Sequence, residues 1–230
     1  MEIQQECSSV PTSTVEQYIK TIYQQSERAP RETVPMKRLS EAMSVTPGTA
    51  TAMVKHLASR GLVRYTPRKG VVLTTNGQKL ALTMVRRHRL IETFLEQVLQ
   101  YDWSEVHDDA ERLEHAVSDK FIERIDAHLD FPATDPHGDP IPLADGSITR
   151  TNVVALSQCN PGDTIRISRV KNEDPAFLLL MKEQSLVPGA TFTVSDVSET
   201  AGTVTVTHAE HSTPFTLSIG TAVTIMVERT

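Results

Sequence analysis

The segment from Phe131 to Gly146 constrains the fold most, because it is rich in Pro, Gly and Asp and cannot be helical. Before it, apolar residues recur mostly at helical spacing, with one short hairpin pattern between helices. From about residue 150 onward, short runs rich in Val, Ile and Thr favour strands. The sequence therefore predicts a mainly α chain with a small β part, in three domains covering 1–75, 76–147 and 148–230.

The first domain has the pattern of a winged helix-turn-helix. Three amphipathic helices are followed by two short β-type runs around a turn that contains Pro and Gly. Helix, helix, turn, helix and hairpin follow one another in proteins of this fold, so we expect this domain to bind double-stranded DNA. The expected helices cover 14–27, 36–43 and 47–60, and the expected strands cover 62–65 and 71–74.

The third helix of this domain would enter the major groove by its N-terminal end. None of its early exposed positions is the Arg or Asn that dominates strong base reading, so we expect apolar contacts with thymine methyl groups, hydroxyl contacts and shape reading. These positions are Thr46, Pro47, Thr49 and Ala52. Phosphate contacts are expected from Thr49, Thr51 and Lys55 on the helix and from Arg64, Arg68 and Lys69 on the wing.

Charge is distributed unevenly along the chain, whose formal net charge is -6. Residues 1–80 carry 11 Lys and Arg against 6 Asp and Glu, a net charge of +5. Residues 81–147 carry 6 against 15, a net charge of -9, and residues 148–230 carry 6 against 8. A basic first part can bind the phosphates of nucleic acid, and a strongly acidic middle part can bind cations.

The acidic middle part is expected to contain two helices, from Thr75 to about Leu99 and from about Ser104 to Leu129. On the second helix, four potential ligands at i, i+4, i+7 and i+8 share one face over an arc of about 100°. These are His107, Glu111, Glu114 and His115, and the preceding helix adds His88 and Glu92 at i and i+4. Such ligands suit Mn, Fe, Co, Ni or Zn. A solvated acidic face with surface ion pairs remains the alternative.

Four further histidines, His128, His137, His208 and His211, are interpreted as ordinary surface or loop residues. The two cysteines, Cys7 and Cys159, are isolated, which predicts neither a zinc ribbon nor a disulfide framework and favours the reducing cytoplasm. No apolar run of about 18 residues predicts a membrane span.

The last domain is expected to be a small β-barrel built from short strands. The expected strands cover 165–170, 191–194, 203–207 and 222–227, and one helix is expected over 176–184.

Several stretches in the first two domains together resemble the diphtheria-toxin-repressor family of metal-dependent regulators, including its manganese-sensing branch. The resemblance covers about Ser13 to Pro142, and residues 150–230 look like the SH3-like (FeoA-like) domain of longer members. The matching stretches lie at 16–23, 60–63, 73–77, 87–92, 106–115 and 135–142.

The resemblance implies two metal sites in each subunit. One would use His88, Glu92 and His107, with Glu173 near a position where longer members add a ligand from the last domain. The other would use Glu111, Glu114 and His115, with Gln17 from the first helix. It also implies a homodimer that binds promoter DNA and represses metal-uptake genes, with no enzymatic activity and no small-molecule substrate.

Three departures from the family pattern bear on the choice of metal. Iron-sensing members have Cys where this chain has Glu111, and the harder carboxylate favours Mn²⁺ over Fe²⁺, which remains the alternative. Gln17 stands where manganese sensors often have Asp, which lowers the affinity expected there. Lys20 stands where some compact manganese sensors of the family have an acidic ligand. This argues against the closely spaced two-metal cluster of those sensors. Other divalent transition metals are expected to substitute in vitro.

The resemblance implies a mechanism in which a bound metal ion coordinates Gln17 and so holds the first helix in place. This would fix the spacing of the two DNA-binding domains of the dimer on DNA. Two other classes stay open at this point. A metallohydrolase would use the His/Glu cluster, although the sequence has no HExxH spacing. A metal-independent winged-helix regulator would use the acidic helix only as a dimer interface.

Overall fold

The computed structural model describes residues 12–28, 33–149, 152–209 and 213–230, so Cys7 and His211 lie outside the described residues. The chain forms two compact units, one of residues 1–86 with 144–146, and one of residues 87–143 with 147–230. The expected fold class, mainly α with a DNA-binding N-terminal part and a β-rich C-terminal part, is confirmed. The division into three domains at residues 75 and 147 stays a prediction.

The first unit has the expected order of helices and strands. Its third helix begins where predicted because Thr46 caps it, accepting a hydrogen bond from the Thr49 backbone N–H, and Pro47 occupies the first turn. The elements are α1 (Ser13–Arg28), α2 (Met36–Ala42), α3 (Pro47–Ser59), β1 (Val63–Thr66), β2 (Gly70–Leu73) and the start of α4 (Thr75–Gln97).

The core of this unit fixes the exposed face of α3. Ala50, Val54 and Leu57 are fully buried against α1 and α2, as their spacing predicted. Val34 adds a bridge to Val71, so the hairpin of β1 and β2 is fastened beside the helices. The N-terminal end of α3 is consequently left exposed.

The acidic region of the second unit differs from the prediction of one helix over 104–129. Two helices form, α5 (Val106–Leu113) and α6 (Asp119–His128). Ser118 caps α6 by accepting a hydrogen bond from the Phe121 backbone N–H, and Arg87 holds Asp119 at 2.6 Å. The single helix was therefore a wrong prediction: a cap and an ion pair stabilise the break.

The C-terminal part of the second unit is a six-stranded antiparallel sheet in the order β3-β8-β4-β5-β6-β7. Among the described residues its outer strands do not pair with each other, so the expected closed barrel is not formed. β7 was not predicted, and the start of the run over 222–227 is helical. The elements are β3 (Val154–Ala155), β4 (Thr164–Val170), α7 (Pro175–Glu183), β5 (Thr191–Ser198), β6 (Thr203–His208), β7 (Pro214–Ser218), α8 (Ile219–Ala222) and β8 (Ile225–Arg229).

A tight turn over 135–139, here named the 135–139 turn, fastens this sheet to the helices of the same unit. Asp135 Oδ1 accepts the backbone N–H groups of His137 and Asp139, both at 2.9 Å. The His137 carbonyl accepts the Val170 N–H at the end of β4. Gly138 has φ +85°, and a Cβ there would lie 2.0 Å from the Ser168 carbonyl oxygen, so only glycine allows this close approach.

None of the helices in the described residues combines the length and the apolar character that crossing a bilayer requires.

Candidate metal centre

The middle of α4 and the start of α5 bring together three predicted ligands. His88 Nε2 lies 2.9 Å from Glu92 Oε1, and His107 Nδ1 lies 3.3 Å from the same oxygen. The two imidazole rings meet edge to face, with 3.2 Å between His88 Nε2 and His107 Nδ1. His88 and Glu92 are buried, and His107 is half-buried. The structure thus brings these three residues together, and their role as metal ligands stays a prediction.

Burial and neighbouring charge act in opposite directions on these groups. Burial raises the pKa of Glu92, but attraction to His88 and hydrogen bonds from His107 and His88 outweigh it, so the pKa lies well below its usual value. Burial lowers the pKa of His107, but the hydrogen bond to Glu92 and the charge of Glu173 raise it overall. Glu92 is thus an ionised carboxylate among imidazoles at neutral pH.

Glu173 reaches the same centre from the loop between β4 and α7. Its Oε2 lies 3.5 Å from His107 Nε2, although the two residues are far apart in sequence. The side chain is 47% exposed, so this carboxylate closes the outer side of the cluster. The structure thus brings Glu173 of the C-terminal part beside His107 of α5.

The second predicted ligand set is grouped differently from the expectation. Glu114 Oε2 lies 2.6 Å from His88 Nδ1, and the candidate ligand group formed here is His88, Glu111 and Glu114. His115 is in none of the candidate groups of the described residues; its Nε2 lies 3.4 Å from Glu114 Oε1. Glu114, the C-cap of α5, keeps helical backbone angles, and its side chain contacts His88 on α4.

His137 was interpreted as an ordinary surface or loop residue; it lies in a turn, but it is buried and not at the surface. It is only 2% exposed, and its Nε2–H donates to the Trp103 carbonyl at 2.9 Å. Its Nδ1 lies 4.0 Å from Glu92 Oε2, and Glu92, Asp135 and His137 form a third candidate ligand group. Its burial depends on the fold of the 135–139 turn, which no local spacing reveals. His128 is exposed, as expected.

The remaining predicted ligand, Gln17, lies on α1 in the first unit and is half-buried. Its role as a ligand stays a prediction. Lys20, one turn further along the same helix, is fully buried.

The donor set of the cluster fits a divalent transition-metal ion. Imidazole nitrogens and carboxylate oxygens of His88, Glu92 and His107 lie within 4.8 Å of one another in a buried position. Nitrogen and oxygen donors without a thiolate suit Mn²⁺ and its neighbours. The hydrogen bond to Glu114 also orients His88, as partners of metal-binding histidines do.

The predicted DNA-contacting residues lie on the exposed surface of the first unit, with one partial exception. Thr51 is half-buried, and its hydroxyl donates to the Pro47 carbonyl at 2.7 Å. The Thr46 and Thr49 hydroxyls bond each other at 2.9 Å. The exposed residues are Thr46, Pro47, Thr49, Ala52 and Lys55 on α3 or its cap, and Arg64, Arg68 and Lys69 on the hairpin.

Three family models match successive parts of the chain. The model of the iron-dependent repressor N-terminal DNA-binding domain matches residues 12–71. The model of the iron-dependent repressor metal-binding and dimerisation domain matches residues 74–143. The FeoA domain model matches residues 154–229.

Similar proteins are metal-dependent regulators. The iron-dependent repressor IdeR of Mycobacterium tuberculosis is 30% identical over 194 residues, which are 79% of this chain and 83% of IdeR. A solved manganese-dependent transcriptional repressor in complex with manganese has a TM-score of 0.88 and 39% identity, covering 94% of this chain and 100% of that chain. The manganese regulator SloR has a TM-score of 0.76 and 33% identity, covering 96% and 100%.

Proposed function

The chain belongs to the diphtheria-toxin-repressor family of metal-dependent, DNA-binding transcriptional repressors, and from this premise we propose that manganese is the metal that activates it. As a member of this family it is a transcriptional repressor and not an enzyme, so the metallohydrolase alternative is set aside. The proposed partner is promoter DNA of metal-uptake genes, bound in the cytoplasm by a homodimer.

The cluster of His88, Glu92 and His107 is the observation that carries the proposal. We propose that these three residues hold one ion, with Glu173 completing the outer side. Glu111, Glu114, His115 and Gln17 are proposed for a second ion, with Glu114 also orienting His88. A bound Mn²⁺ ion would supply the positive charge that holds these imidazoles and carboxylates in one arrangement.

Glu111 supports manganese over iron(II). It faces His107, with 3.9 Å between its Oε1 and His107 Nε2, and it adds a hard carboxylate oxygen where iron-sensing members have a softer thiolate. The two solved structures described above also belong to manganese-dependent repressors. Iron(II) is the alternative that the experiment below addresses directly.

DNA binding is proposed to use two copies of α3, one from each subunit of a homodimer. Two such helices reach successive major-groove faces when they are about 34 Å apart, so their spacing decides the affinity. Exposed apolar side chains at Leu113 and Phe121, on α5 and α6, support a surface where two copies pack. Ordering of the metal centre is proposed to fix that spacing, because apparent affinity falls with the fraction of competent states.

The test is fluorescence anisotropy with a labelled metal-uptake promoter, titrated with Mn²⁺ and separately with anaerobic Fe²⁺. We expect the wild type to bind DNA only with metal and at lower Mn²⁺ than Fe²⁺ concentrations. Glu111→Cys should shift the preference toward Fe²⁺, because a thiolate replaces the carboxylate. Glu123→Cys, at an exposed position on α6, is the matched control and should behave as wild type.

Equal DNA binding with and without metal would contradict the proposed sensor. Activation by Fe²⁺ at lower concentrations than Mn²⁺ in the wild type would contradict manganese as the activating metal and leave the iron-sensing alternative.

A further inference from the structure

The two oxygens of the Glu92 carboxylate face two different groups of side chains. Oε1 faces His88 and His107, at 2.9 Å and 3.3 Å. Oε2 faces His137 Nδ1 at 4.0 Å. The first group is the centre described above, and the second group has no role in the proposed function.

The ring of His137 is held in one orientation. Its Nε2–H donates to the Trp103 carbonyl at 2.9 Å, and the ring stacks on the Trp103 indole with 5.5 Å between centroids. Because Nε2 carries the hydrogen, the neutral ring has its lone pair on Nδ1. In the described part of the chain, Nδ1 makes no hydrogen bond, and 4.0 Å to Glu92 is too long for one.

Asp135 adds a second buried carboxylate beside this nitrogen. Arg89 Nε lies 3.4 Å from Asp135 Oδ2 and supplies one nearby positive charge. Asp135 is itself buried: its Oδ1 accepts the backbone N–H groups of His137 and Asp139, and its Oδ2 faces Arg89. One ligand atom from each of Glu92, Asp135 and His137 lies within 4.8 Å of the others.

We propose that Glu92, Asp135 and His137 form an additional Mn²⁺ position, and that the Glu92 carboxylate bridges it to the His88–Glu92–His107 position. Ions of this kind bind nitrogen and oxygen at about 2.0–2.2 Å, so two ligand atoms of one ion lie about 3–4 Å apart. The 4.0 Å between Glu92 Oε2 and His137 Nδ1 fits such a pair. Two carboxylates and one imidazole are donors that Mn²⁺ accepts.

This additional position would connect metal content to the C-terminal sheet. His137 lies in the 135–139 turn, and its carbonyl accepts the Val170 N–H at the end of β4. Glu173, the outer carboxylate of the first position, follows β4 in the chain. The inference rests on the proposed function, because it assumes that the first position binds Mn²⁺.

The experiment counts manganese in the full-length protein carrying His137→Gln. The glutamine amide can donate to the Trp103 carbonyl as Nε2–H does, but it offers no lone pair at the position of Nδ1. His128→Gln, at an exposed position on α6, is the matched control. Each protein is loaded with Mn²⁺, desalted and measured by elemental analysis and by electron paramagnetic resonance.

We expect His137→Gln to hold one Mn²⁺ ion per chain fewer than wild type and His128→Gln. The wild-type spectrum should show an exchange-coupled pair, and the His137→Gln spectrum should show only uncoupled ions. Asp135→Asn is the second variant and decides the outcome if His137→Gln does not fold; it should lose the same ion.

Equal manganese content and an unchanged spectrum in the folded variants would overturn the inference and leave the proposed function intact. A His137 that only makes its hydrogen bond to the Trp103 carbonyl and binds no metal would give this result. A wild-type protein that binds no Mn²⁺ would instead overturn both the proposed function and the inference.

Discussion

His88 Nδ1 donates to Glu114 Oε2 across 2.6 Å, and this hydrogen bond joins the middle of α4 to the residue that ends α5. A carboxylate that accepts this bond places a hydrogen on Nδ1, and the other ring nitrogen, Nε2, lies 2.9 Å from Glu92 Oε1 and would be the nitrogen that binds metal. Glu114 therefore orients a proposed ligand of the first position, in addition to its proposed place in the second.

Replacing Glu114 should consequently weaken metal binding at a position it does not face directly. We expect Glu114→Ala to lower Mn²⁺ affinity by about 10–100-fold, the usual effect of removing the partner of a metal-binding histidine. Glu114→Gln keeps an acceptor oxygen and should lose less. Calorimetric titration measures both, with Glu123→Ala on α6 as control. Unchanged affinity in Glu114→Ala would show that His88 needs no such partner.

Glu173→Gln tests the ligand that comes from the C-terminal part. Its carboxylate lies 3.5 Å from His107 Nε2, and the amide keeps its shape but removes its charge. We expect about a tenfold or greater loss of Mn²⁺ affinity without loss of folding, since the side chain is half exposed. Glu183→Gln, at the exposed end of α7, is the matched control. Identical titrations for the two variants would remove Glu173 from the site.

The ion pair between Asp102 and Lys182 should make stability depend on pH in acid. The hydrogen bond from Lys182, followed by those from Ser104, lowers the pKa of Asp102 from 3.8 to about 2. A lowered pKa means that the ion pair contributes fully above pH 3.8 and is lost as the pH falls through about 2. The thermal unfolding temperature of Asp102→Asn should therefore lie below wild type at pH 5 and converge with it near pH 2.

Asp108→Asn is the control, because it removes one carboxylate at an exposed position on α5. Since Lys182 is 57% exposed, the effect at pH 5 should stay below about 1 kcal/mol. A constant difference between wild type and Asp102→Asn from pH 5 to pH 2 would contradict the assignment.

Gly138→Ala should destabilise the second unit more than Gly162→Ala. Both glycines have positive φ, +85° and +93°, so alanine meets the same backbone strain of about 1–2 kcal/mol at each. Only at Gly138 would the new Cβ also meet the Ser168 carbonyl oxygen, at 2.0 Å, which adds about 1–3 kcal/mol. Denaturant unfolding of both variants measures the difference. Equal losses of unfolding free energy in the two variants would mean that the 135–139 turn can move to accommodate the new Cβ at little cost.

Lys69→Ala should weaken DNA binding and reduce its dependence on salt. The side chain is exposed on the hairpin, where we expect it to meet a phosphate. Loss of one such contact lowers the slope of log K against log salt concentration by about 0.9. Anisotropy titrations at several salt concentrations measure this slope. Lys79→Ala, an exposed lysine of α4, should leave it unchanged, and an equal slope for both variants would remove Lys69 from the interface.

Local sequence pattern was sufficient to predict the structure where the stabilising interactions lie within one element. The cap at Thr46, the proline after it and the spacing of Ala50, Val54 and Leu57 all lie within α3, so its start and buried face followed from the sequence. His88 and Glu92 are likewise one helical turn apart on α4, so their contact could be predicted from the sequence.

The parts that differed depend on contacts distant in sequence. The break between α5 and α6 has a local signal, the Ser118 cap, but it is also fastened by Arg87, which lies 32 residues before Asp119. The burial of His137 requires the Trp103 carbonyl, 34 residues earlier. The grouping of Glu114 with His88 likewise depends on a contact between residues that are 26 positions apart in the sequence.

The pairing of β4 with β8 also bears on when the proposed metal centre is complete during synthesis. Glu173 follows β4, and β4 is held in the sheet by pairing Val170 with Ile225. A ribosome delivers His88, Glu92 and His107 well before it delivers residue 225. During translation, the reading helix α3 is thus complete long before the outer ligand has a fixed place. If manganese activates the repressor through these residues as proposed, the nascent chain would acquire its metal response only near the end of synthesis.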